Sequence, residues 1–91
     1  MTLFGLNKKH HIVAKRAWMA APARYFLYRA GIRIDDRNLA KVPKGRHRVL
    51  HTKIYYTTIN LGLFFAYSVG GEKGVELMLY VFKTILEAGE S

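Results

Sequence analysis

A mainly α-helical protein with a single membrane span is the fold class this sequence predicts, and three observations predict it. Residues 54–71 carry no formal charge between Lys53 and Glu72. As a helix rising about 1.5 Å per residue, they would cover roughly 27 Å, close to the thickness of a bilayer's hydrocarbon core. The charge is lopsided about that stretch. Residues 1–53 hold thirteen Lys and Arg against Asp35 and Asp36, a net of +11, whereas residues 54–91 hold Lys73 and Lys83 against four Glu, a net of −2. Such asymmetry fits a preferred orientation in a membrane, with the basic side inward. Finally, Thr58, Gly62, Ala66 and Gly70 recur every fourth residue, a narrow stripe of small side chains that lets a second helix approach closely.

Length and composition narrow the reading. Ninety-one residues make one domain, and a chain this short buries only a modest share of its surface when it folds alone. The absence of Cys removes disulfides, iron–sulfur chemistry and cysteine-bound zinc. Stability is therefore expected from membrane insertion or from docking onto a larger assembly.

Residues 1–34 form a basic amphipathic region with seven Lys and Arg and no acid. Leu3, Phe4 and Leu6 make a small apolar plug ahead of a basic cluster. Ile12 to Ala21 reads as a helix interrupted by Pro22, which is tolerated where a new helix starts. A short aromatic helix then runs to Gly31, a residue suited to a left-handed cap. The composition is that of a mitochondrial transit segment, here expected to be retained. Lys15, Arg16, Arg24 and Arg29 would lie near anionic headgroups, with Trp18 in the interface.

Residues 35–49 read as a surface loop built on Asp, Asn, Pro and Gly. The span is expected over 50–71. Tyr55 and Tyr56 would sit at its boundary with water, and Asn60 would need a hydrogen-bond partner of its own. Residues 72–91 then show apolar positions at helical spacing (Val75, Met78, Leu79, Phe82, Ile85, Leu86), with Glu76, Lys83 and Glu87 opposite. Gly89 is the expected cap.

Catalytic motifs are not evident. Asp35 and Asp36 are adjacent, so their side chains diverge; no phosphate-binding Gly loop or HExxH occurs. His10 and His11 likewise point apart and read as part of the basic surface. His47 and His51 have the spacing of metal ligands, but neighbouring Arg46, Arg48 and Lys53 would repel a cation. The expectation is therefore a non-enzyme: an accessory subunit of an oxidative-phosphorylation complex in the mitochondrial inner membrane, its basic end facing the matrix. Its partners would be membrane subunits and anionic lipid, with Thr58, Gly62, Ala66 and Gly70 packing against them. No catalytic residue, metal or cofactor is expected; cardiolipin or another anionic phospholipid is the bound lipid such a surface would take. The alternative is a small basic RNA-binding protein of a ribosome, since the run from Lys41 to Lys53 has the density that neutralises phosphate.

Overall fold

The computed structural model describes residues 7–43 and 51–88. The apolar plug at 3–6, His47 and the Gly89 cap lie outside them. In chain order the elements are β1 (Asn7–His11), a 3-10 turn (Trp18–Ala20), α1 (Ala21–Arg29), β2 (Leu39–Pro43) and α2 (Lys53–Glu87).

Strands stand where a basic cluster and a loop were expected. β1 and β2 pair antiparallel, with His10 opposite Ala40 and His11 opposite Leu39. In β2, Ala40 and Val42 are buried while Lys41 is exposed, the period of two that places one strand face on a core. The ladder continues past β1, where the Ile12 N–H donates to the Asn38 carbonyl at 2.7 Å. Ile12 and Val13 then turn fully into the core. The helix expected over 12–21 is reduced to the turn Trp18–Ala20, and α1 starts at Ala21 with Pro22 in its first turn. Gly31 follows with φ +73°.

α2 is broken. A straight helix of 35 residues would measure roughly 52 Å, yet the longest dimension of the chain is 43 Å. The break is at Gly71, whose φ of 60° and ψ of −139° belong to a region open essentially to glycine alone. Its two arms fold back on each other. A Cβ placed on Gly74 would lie 2.2 Å from the Ala66 carbonyl oxygen, and one on Gly62 would lie 2.5 Å from Phe82 Cζ.

This arrangement overturns the single-span fold. Among the described residues no helix is long and apolar enough to cross a membrane. The uncharged stretch is instead the first arm of α2, and Tyr55, Tyr56, Ile59, Leu63 and Ala66 form its buried face. Tyr55, Tyr56, Ile59 and Leu63 share one core with Ile12, Val13, Leu27, Val42, Val75 and Leu79. The polar residues that diluted the stretch have partners inside the chain. Asn60 accepts from the Ala23 N–H at 3.0 Å and donates to the Met19 carbonyl at 2.8 Å, which satisfies one of the amides left open at the start of α1. The charge asymmetry is partly closed internally as well. Arg37 pairs with Glu76, and Glu87 accepts from the Lys41 N–H of β2 at 2.7 Å.

Candidate functional site

The end of β1 and the start of α2 enclose a cleft of about 350 Å³, lined by Lys9, His10, His11, Ala14, Lys15, Arg16, Ala17, His51 and Tyr56. Three histidines and three cationic residues thus line one space, drawn from parts of the sequence some forty residues apart.

Each wall is held by specific bonds. Asn38 is fully buried; its Oδ1 accepts from the Val13 N–H at 2.8 Å, and its Nδ2 donates to the carbonyls of Val13 and Ile34 at 3.0 and 2.9 Å. One side chain therefore fixes the backbone immediately after the two histidines. Tyr55 donates its hydroxyl to the Ile12 carbonyl at 2.5 Å, tying the same backbone to α2; burial, with Tyr56 beside it, pushes that hydroxyl above its ordinary range. The loop 14–17 is clamped from α1, because the Arg24 guanidinium donates to the carbonyls of Ala14 and Ala17 at 2.9 and 2.7 Å. On the opposite wall, His51 Nδ1 lies 3.4 Å from the Tyr56 hydroxyl, and the Thr52 hydroxyl caps α2 by accepting from the Tyr55 N–H at 3.1 Å.

The charged groups are arranged about His11. Its Nε2 stands 2.6 Å from Asp35 Oδ1, and Lys15 Nζ stands 3.6 Å from Asp35 Oδ2. The hydrogen bond to His11, aided by the Lys15 charge, holds the Asp35 carboxyl below its usual range. An imidazole whose Nε2 is taken by a carboxylate keeps Nδ1 as the nitrogen that can accept a proton. Cations beside it attract phosphate oxygens. Among the described residues no group of three or more His, Cys, Asp and Glu side chains is gathered closely enough to hold a metal ion.

Of the residues singled out from sequence, Lys15, Arg16 and Tyr56 meet in the cleft. Tyr55 is buried, Arg24 clamps the loop 14–17, and Trp18, next in the chain to Ala17 of the cleft wall, is exposed. Arg29 lies apart, donating to the Tyr25 hydroxyl at 2.9 Å. Within the small-residue stripe, Gly62 and Ala66 face the second arm of α2, whereas Thr58 and Gly70 are exposed. His10, His11, Asp35 and His51, set aside on sequence grounds as basic surface, diverging acids and an incomplete metal pair, prove to belong to the site, and Asn38 carried no sequence signal at all. Asp35 and Asp36 do diverge, but the consequence is that Asp35 is available to His11.

A family model described as AHH, a nuclease family of the HNH/ENDO VII superfamily with conserved AHH, matches residues 6–80. No curated protein and no solved structure matches the chain. The adjacent histidines His10 and His11, preceded by Lys9, fall within the match. The match corrects the expectations about role. A nuclease family replaces both the respiratory-complex subunit and the ribosomal RNA-binding protein, and it implies an enzyme where a non-catalytic chain was expected. It points to nucleic acid as the partner in place of membrane subunits and lipid. With no membrane-crossing helix among the described residues, the inner-membrane placement and its matrix-facing orientation fall too.

Proposed function

The chain belongs to the AHH family of nucleases, and on that premise we propose that it hydrolyses the phosphodiester backbone of nucleic acid in the cleft between β1 and α2. The observation that carries this reading is the contact between His11 and Asp35, at the rim of a cleft shared with His10, His51 and three cations.

Lys9, Lys15 and Arg16 attract the substrate's phosphates and offset their charge as the phosphorus takes on a fifth oxygen. His11, oriented by Asp35, removes a proton from the attacking water at Nδ1. The new bond joins the water oxygen to phosphorus, and the bond from phosphorus to one sugar oxygen breaks. That leaving oxygen needs a proton, and His51, on the opposite wall, is placed to supply it. Its neighbour Tyr56 fixes the imbalance between the two walls, since one imidazole faces a carboxylate and the other a neutral hydroxyl. The strongly basic front of the chain suits a polyanionic substrate.

The test is an incubation of the full chain with plasmid DNA, oligodeoxynucleotides and RNA in magnesium-containing buffer, followed by electrophoresis. Cleavage is expected, with losses of roughly a hundredfold or more for His11→Ala and with unchanged circular dichroism. Absence of cleavage of all three substrates by a folded chain would refute the reading.

A further inference from the structure

Trp18 is the chain's single tryptophan and is 81% exposed. It follows directly on Ala17, which lines the cleft with Lys15 and Arg16. Its base is rigid. The Ala17 carbonyl accepts both from Arg24 and from the Ala20 N–H, the latter at 3.1 Å. The next carbonyl but one, that of Met19, accepts from Asn60 of α2, and Ala20 is buried. The turn is thus pinned on both sides of an indole that itself packs on little.

We propose that Trp18 is a base-stacking platform beside the cleft, and that the substrate reaches the site as a single strand. The inference rests on the nuclease reading and adds the substrate class to it. Cations that follow a sugar–phosphate backbone, interrupted by an aromatic ring with a free face, are the means by which proteins hold unpaired strands. Lys15, Arg16 and Trp18 supply that order within four residues of chain. In a duplex the base faces are already stacked on their neighbours, so an external indole has no face to take without first unstacking one. The phosphate held by the two cations and the base stacked on Trp18 would then belong to neighbouring nucleotides of one strand.

Because the chain has no other tryptophan, its emission reports on this residue alone. The experiment titrates the His11→Ala variant, which leaves the strand intact, with oligothymidylate of about twelve nucleotides and with a hairpin duplex of matched length at the same salt. Quenching by the single strand and little change with the duplex is expected. Because these variants lack the reporting indole, their binding is read by the anisotropy of a fluorescein-labelled oligothymidylate: Trp18→Ala should weaken single-strand binding about tenfold, and Trp18→Tyr by no more than about threefold, since a phenol ring still stacks. Equal quenching by the duplex, or single-strand binding unaffected by Trp18→Ala, would overturn the proposal. The two readings fail separately. Cleavage without quenching removes the platform and leaves the nuclease; quenching without cleavage does the reverse.

Discussion

Nε2 of His11 stands 2.6 Å from Oδ1 of Asp35, and the two come from opposite ends of the connection between the strands. The carboxylate fixes which ring nitrogen carries the proton and stabilises the imidazolium that forms when the other accepts one. Asp35→Asn keeps the shape and removes the charge. It should lower kcat by roughly one to two orders of magnitude, with KM changed little. The contact has a sign in stability as well. The folded-state pKa of Asp35 lies below its ordinary value of 3.8, so its contribution is complete above that value and is lost as pH falls through the lowered one. Urea unfolding at pH 6 should separate the wild type from Asp35→Asn, and the gap should close as the pH is brought below the usual carboxylate range.

Asn38 is the residue on which the geometry of both histidines depends. Its three hydrogen bonds, to Val13 and Ile34, are made by a side chain that is fully buried. Asn38→Ala leaves a buried N–H and two carbonyls without that partner, and should destabilise the fold by about 2–4 kcal/mol, as read by urea denaturation. Asn38→Asp should fare worse at neutral pH than at pH 4, because a carboxylate cannot donate to the two carbonyls.

Lys9 directly precedes the two histidines, and it adds a cation to the wall of the cleft. Lys9→Ala should raise KM several-fold and leave kcat nearly unchanged, since the interaction it removes is with the ground state as much as with the transition state. The salt dependence of binding should become shallower, by about 0.7 in the logarithmic slope on a single strand. Binding isotherms on the His11→Ala background between 50 and 200 mM salt, a range chosen for that slope, measure it directly.

The sequence made the helical content legible but not its environment. Val75, Met78, Leu79 and Phe82 kept helical spacing, and Pro22 marked the start of α1. The same uncharged run, however, is consistent with lipid on all sides or with protein on one side, and only the position of Asn60's partners distinguishes them. Those partners, Ala23 and Met19, are about forty residues away. The strands were hidden by composition. In β1 the visible pattern is charge, and its pairing is set by β2, whose alternation of Ala40, Lys41 and Val42 is three residues long. Nothing local reports that Asp35 reaches His11, because that contact exists only once the ladder has brought 7–11 and 39–43 together. Lys15, Arg16 and Trp18 were singled out for their affinity for phosphate headgroups and interfaces. Anionic phosphate and a flat apolar partner are equally features of nucleic acid, so the chemistry of those residues was legible while the identity of the polyanion was not.

The small-residue spacing also has a measurable consequence inside the chain. Gly74 and Gly62 both sit in α2 where its arms cross, but they meet different neighbours. A Cβ on Gly74 would lie 2.2 Å from the Ala66 carbonyl oxygen, which is backbone, whereas on Gly62 it would lie 2.5 Å from the ring tip of Phe82. A ring at the end of a side chain can rotate away, but a helix backbone can yield only if the two arms separate. Helix propensity alone would make both replacements by Ala favourable by roughly 1 kcal/mol. Gly62→Ala should therefore be close to neutral, and Gly74→Ala should destabilise the chain by about 1–3 kcal/mol through overpacking. Paired thermal and urea melts check this, and equal stability of the two variants would mean that the arms of α2 do not cross at Ala66 and Gly74.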